Sequence, residues 1–425
     1  MSLTKTVGLF AGTTLAISGV AFGAAEQNNT AAEIAQLKAQ IAGLQAAQGE
    51  QWLTEQRAAE IRGIVSDVLA DADTRSSLQG SGAGAGYDGG FFMSSADGNY
   101  SMKINLLEQI RWTFNDQEDA NNEQAYGFEN KRTRLTFSGG MVDSSWSYKI
   151  GYYLGYSNSN EDFGAGELSD ANVTKDFGNG FSVTVGQFKL PFSAEYAIDA
   201  GNLQFNDYSV VNTLSGTGYG QGLGFGYAAD AFRVNFAYVN DIGEVNEDWG
   251  GTNADYAIAL RGEYKLAGNW AQFNDGQSWK GEEFGAVIGV GFANENPNFS
   301  DDSPTWFTVD ATFDFGGANL VVAYYMTDEV YGVETTGFTV SGGAFLSDDF
   351  ELAARFENFE PDGGDQLNTL IVNGNWYLAK NTAKLGLEFG YSFDGVPAGA
   401  EYAGWVDSGG EDGEWLFQAQ MSFSF

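Results

Sequence analysis

Cysteine and histidine are both absent from this chain. Without cysteine there are no disulfides and no thiolate metal sites. Without histidine there is no Ser-His-Asp hydrolysis, no imidazole-ligated zinc and no imidazole proton shuttle. No catalytic residue, cofactor or metal site is therefore assigned. Positive charge is scarce too: Lys and Arg total 20 against 57 Asp and Glu, a net charge of −37 that excludes a general nucleic-acid binder and leaves a solvated acidic surface. Past the first two dozen residues no run of eighteen apolar residues occurs, so no helix is expected to span a membrane.

What is abundant is glycine (58, against 5 prolines) and aromatic residues (15%), the ingredients of strands, wide loops and interfacial girdles. The last eleven residues set the pattern, with Trp415, Phe417, Met421, Phe423 and Phe425 separated by small or polar residues. As an extended strand this stretch has one apolar and one polar face and the length to cross a bilayer when tilted.

Three segments precede the region built on that rhythm. Residues 1–23 read as a signal peptide: Lys5 is the only charge, the run from Val7 to Phe22 is apolar and small, and a small-x-small cleavage site closes it. Residues 30–78 lack the two-residue alternation. Ile34, Leu37, Ile41 and Leu44, then Ile61, Val65 and Val68, give the a/d spacing of an α-helical coiled coil in the periplasm. Residues 79–98, centred on Gly-Ser-Gly-Ala-Gly-Ala-Gly, read as a flexible linker.

From residue 99 to 425 the alternation recurs in about sixteen runs, such as Trp146, Tyr148, Ile150, Tyr152, Leu154 and Tyr156, or Phe232, Val234, Phe236 and Tyr238. The fold class is all-β: a transmembrane antiparallel β-barrel of about 16 strands. The test is where charges fall, because Arg or Lys facing lipid at mid-bilayer costs about 2–4 kcal/mol. Arg111, Arg134, Lys149, Arg233, Arg261, Arg355 and Lys384 take the phase opposite the aromatics, as do Glu263, Asp310, Glu357 and Glu388. Glu108 breaks the rule by sharing phase with Ile104, Leu106 and Ile110.

The acidic connections around residues 115–124, 161–170, 244–255, 294–302 and 407–414 read as solvated external loops, none with the spacing of an EF-hand. The stretch 192–216 is different: long, mixed in polarity, containing Glu195, Tyr196, Asp199, Phe205, Asp207 and Tyr208, and devoid of Lys and Arg. It is the candidate constriction loop, since a barrel this wide leaves an aqueous channel unless something narrows it.

Two motifs resemble a known family. Lys131-Arg132-Thr133-Arg134-Leu135-Thr136-Phe137-Ser138-Gly139, followed by Trp146-Ser147-Tyr148-Lys149, is similar to the early strand pair of the phosphate-selective porins O and P. Gly186-Gln187-Phe188-Lys189-Leu190-Pro191-Phe192 resembles that family's strand leading into its constriction loop. The resemblance implies a homotrimeric channel in the outer membrane of a Gram-negative-type bacterium, in contact with outer-membrane lipid and passing small solutes or anions such as phosphate. It also implies that Arg132, Arg134, Lys149 and Lys189 line the route; Arg111, Arg233, Arg261 and Arg355 join them on phase alone. Two alternatives stand beside an anion ladder: these cations pair with facing acids in a general or cation-preferring porin, or the coiled coil tethers the barrel to peptidoglycan.

Overall fold

The computed structural model describes residues 84–116, 124–154, 166–243 and 245–425 apart from 252, 299–301, 331, 365, 398 and 407–412, together with helical residues 35–40 and 42–43. The signal peptide and most of the coiled coil expected from the sequence lie outside the described residues. The chain divides into two units, 1–80 and 81–425, and the second holds the barrel.

Within 84–116 the glycine-rich segment expected to be a linker forms a hairpin instead. β1 (Gly84–Tyr87) pairs with β2 (Phe91–Ser94), which pairs with the start of β3. Phe91 packs edge-on against Phe425, and this apolar contact joins the hairpin to the end of the chain.

Sixteen strands then follow in simple up-and-down order: β3 (Ser101–Asp116), β4 (Gln124–Met141), β5 (Asp143–Tyr153), β6 (Glu167–Gly178), β7 (Phe181–Lys189), β8 (Tyr219–Ala228), β9 (Phe232–Val239), β10 (Ala254–Ala267), β11 (Gly285–Pro297), β12 (Thr305–Asp314), β13 (Ala318–Val330), β14 (Val333–Phe345), β15 (Phe350–Pro361), β16 (Leu367–Tyr377), β17 (Ala383–Ser392) and β18 (Glu414–Ser424). Each pairs antiparallel with its neighbours, and β18 pairs with β3 from Trp415 opposite Asp116 to Ser424 opposite Leu107. The sheet closes on itself, so no backbone edge is left open around the ring. The residues closing it are those whose alternation set the pattern.

The two faces differ as the alternation requires. Phe225, Leu260, Val290, Leu370, Phe389 and Phe417 are exposed on the outer face, an apolar belt of a size that no water-facing surface tolerates. Inward positions carry polar groups and small apolar residues, with Arg111, Asn373 and Gln418 fully buried. Glu108 does lie on the outer face, between the inward Leu107 and Gln109, and accepts a hydrogen bond from Thr133 Oγ1 at 2.7 Å.

Connections at one rim are short turns, with one exception, and most of those at the other are longer and acidic. The exception joins β10 to β11: residues 268–284 fold back into the barrel, with Gln277, Ser278 and Trp279 buried. From the opposite rim the connection 190–218 and residues 399–406 also turn inward. Their residues Phe192, Val210, Val211, Ala400 and Trp405 share one apolar cluster with inward wall residues such as Tyr325, Ile371 and Leu416.

Candidate functional site

The site is built on the connection from Lys189 to Tyr219, whose local structure follows from three capping residues. Ser193 accepts from Tyr196 N at the start of α1 (Ala194–Ala197), Asp199 from Gly201 N at a 3-10 turn (Ala200–Asn202), and Ser209 from Asn212 N at the start of α2 (Val210–Ser215). α2 packs its Val210 and Val211, both fully buried, onto β13–β15. The approach is close enough that a Cβ on Gly337 of β14 would stand 2.7 Å from Val211, so only glycine fits there.

This inserted loop has acids and no bases, and the wall supplies the bases. Asp207 receives Arg111 at 2.8 Å, Lys131 at 3.3 Å and Arg132 at 2.6 Å. Burial alone pushes the Asp207 carboxyl up, but Arg132, Lys131 and Arg111 outweigh it and hold it well below the usual carboxylate range. Asp199 takes Arg134 at 2.5 Å. Burial raises Glu195 above its ordinary range, with Arg355 at 3.8 Å and Ser209 pulling only part of the way back.

Wall acids reciprocate. Glu357 accepts from Val210 N at 2.6 Å and binds Arg355 Nε at 2.7 Å, and Glu388 accepts from Asn206 N at 3.0 Å. Asp310 grips Arg261 through two bonds of 2.8 Å, and Arg261 in turn donates to Phe192 O at 2.8 Å. Bidentate, charge-assisted contacts of this kind fix the loop's register against the wall.

All eight basic residues expected along the route do face inward, but they divide. Arg111, Arg261 and Arg355 are clamped between loop and wall, each at most 3% exposed, and act as anchors. Arg233 is paired with Glu263, and Lys149 with Asp170 at 3.2 Å. Lys189 stands apart: its Nζ donates to Tyr196 O at 2.9 Å and Tyr208 Oη at 3.2 Å, lies 4.3 Å from the Tyr196 ring centroid, and has no carboxylate at ion-pair distance among the described residues. Of the loop residues expected to constrict, Phe205, Asp207 and Tyr208 are buried against the wall, while Glu195, Tyr196 and Asp199 keep partial exposure.

Sequence reasoning passed over Lys131. The β3–β4 ladder carries a bulge between the pairs Gln109–Arg132 and Ile110–Asn130, so Lys131 and Arg132 both turn inward, and Tyr126 and Phe128 keep the outer face. A strict period of two cannot see this. Nothing in the sequence marks the inward connection 268–284, whose Asn, Asp and Gly are the composition of any turn.

The loop leaves space on two sides. Toward β4–β8 there is a cavity of about 490 Å³ lined by Lys131, Arg132, Lys189, Tyr196, Asp207 and Tyr208, and nearer the short-turn rim one of about 310 Å³ lined by Arg134, Lys149 and Asp199 among others. Toward β9–β15 lies a smaller chamber.

The fold is similar to that of several solved structures. An anion-selective porin from Comamonas acidovorans superposes with a TM-score of 0.56 at 14% identity, covering 77% of this chain and 100% of that one. OmpF of Salmonella typhi, in a complex with daunomycin, gives 0.54 at 10% identity, covering 80% and 100%. OmpT of Vibrio cholerae gives 0.52 at 14%, covering 77% and 98%. No protein with a curated description matches the sequence. Residues 104–342, more than half of the chain, match the family described as phosphate-selective porin O and P. A closed sixteen-stranded barrel with an apolar outer belt and a loop folded into its lumen is the architecture of a channel, and with that match the chain belongs to the phosphate-selective porins O and P, porins of the outer membrane.

Proposed function

We propose that this porin passes small hydrophilic solutes with a mild preference for anions, along the side of the lumen between the inserted loop and β4–β8. The observation that supports this is the line of cations on that wall: Lys131, Arg132 and Lys189 in the larger cavity, Arg134 and Lys149 in the one nearer the short-turn rim. Lys131, Arg132, Arg134 and Lys149 each hold a carboxylate. That compensation favours several weak sites over one tight one, which is what conduction needs. Lys189, without a carboxylate partner, carries most of the selectivity.

The test is the reversal potential of the purified protein in planar bilayers under a potassium chloride gradient. The expected sign is anion-preferring, and Lys189→Gln lowers the chloride-to-potassium permeability ratio about sevenfold, because loss of one charge felt at about 7 Å through water shifts each ion by about 0.6 kcal/mol in opposite directions. A cation-preferring potential in the unmodified protein overturns the anion reading and leaves a general porin.

The same reading takes the assembly to be a homotrimer. Glu108 and Thr133 form a polar pair on the outer face, where lipid penalises a carboxylate, and a neighbouring copy covering this stretch removes that penalty.

A further inference from the structure

The chamber on the far side of the loop has a different chemistry. It is bounded by Ala194, Ala197, Ile198, Leu203 and Phe205 of the loop, by β9–β15 of the wall, and by Phe273, Asn274, Asp275 and Gly276 of the 268–284 connection. Its volume is about 90 Å³. At about 30 Å³ per water in the liquid, that is room for about three waters.

Its cations are already matched. Arg233 donates to Glu263 at 3.0 Å, Arg261 to Asp310 at 2.8 Å and Arg355 to Glu357 at 2.7 Å. A charged solute entering here competes with buried pairs whose rupture is strongly unfavourable. By contrast, three hydroxyls on the same wall, Thr312 on β12 and Thr339 and Ser341 on β14, line the chamber with no hydrogen-bond partner among the described residues. Thr339 is only 4% exposed, so its hydroxyl has nothing to bond except what the chamber holds. Opposite them stand the apolar Ile198, Leu203 and Phe205.

Unpartnered hydroxyls facing an apolar surface, between charge pairs that keep spare acceptor oxygens, suit a molecule that is uncharged, rich in hydroxyls and apolar on its C–H faces. We propose that this chamber is a binding site for a small neutral polyol of about glycerol's size, distinct from the cation-lined side. The inference rests on the porin fold and not on the anion preference.

The test is saturation-transfer NMR on the full-length protein in detergent micelles, with glycerol as the probe. Transfer to the glycerol C–H protons is expected, and its absence overturns the proposal. The double substitution Thr339→Val with Ser341→Ala weakens glycerol binding about tenfold, as loss of two hydrogen bonds implies, and leaves the reversal potential unchanged. Thr312→Ser, which keeps its hydroxyl, retains the unmodified affinity. Unchanged glycerol affinity in the double variant overturns the site, and should that variant fail to assemble, the signal from the unmodified protein decides. A failed anion preference shows in the reversal potential alone, so the two readings fail separately.

Discussion

At the scale of single residues, Asp207 carries the inserted loop. Its carboxylate is shared by Arg111, Lys131 and Arg132, and Arg111 is fully buried. Asp207→Asn leaves these cations without their common counter-charge, a loss of about 3–5 kcal/mol for a buried pair. The expected outcome is a noisier channel of higher single-channel conductance; an unchanged trace would show that the loop is held elsewhere. The pH dependence has a definite sign. Because the folded-state pKa is depressed below its unfolded value, the stabilisation is fully present above the ordinary carboxylate range, near pH 4, and is lost as pH falls below it. Conductance at pH 7 and pH 5 should therefore agree, and loop release should set in only in stronger acid. The alternation of β3 and β4 puts Arg111 and Arg134 on the lumen phase and the motif adds Arg132, yet nothing local to them shows that they meet Asp207 and Asp199, which lie 65 or more positions away.

At the scale of elements, the lumen is shaped by connections entering from both rims. The 268–284 connection reaches the tip of the main loop: Gly276 N donates to Asn202 O at 2.9 Å, and Asn319 Nδ2 donates to Gly276 O at 2.8 Å. Trp279 secures it, its ring centroid 4.9 Å from Tyr377 and 5.3 Å from Phe345. A Cβ on Gly276 would stand 2.7 Å from Gln204 N, so backbone meets backbone only because that residue is glycine. Trp279→Ala removes about 3–5 kcal/mol of packing and should free this connection. Larger solutes should then enter liposomes faster while the heat-denaturation temperature of the barrel stays nearly constant. If the exclusion limit does not move, the connection does not restrict passage. This element was not legible in the sequence, because a turn that folds inward and one that hangs in water use the same Asn, Asp and Gly.

At the scale of the whole molecule, closure and the outer belt dominate. Leu260 stands on the outer face of β10, between the inward Ala259 and Arg261. Leu260→Arg puts a guanidinium against lipid at a cost of about 2–4 kcal/mol near mid-bilayer. The folded fraction recovered in bilayers, read from heat-modifiable gel migration, should fall, while Leu260→Phe should match the unmodified chain. Equal yields for both variants would mean that this face does not contact lipid.

Alternation along the chain was enough to give the barrel, about sixteen strands and the inward phase of most of the bases, because strand side chains repeat every two residues and lipid rejects charge on one of those phases. The bulge that turns Lys131 inward, the hairpin at 84–94, the inward course of 268–284 and the partner of every buried cation were decided only by the closed tertiary structure. Those features depend on which strands face one another across the lumen, and that pairing is set by ring closure rather than by neighbours in sequence.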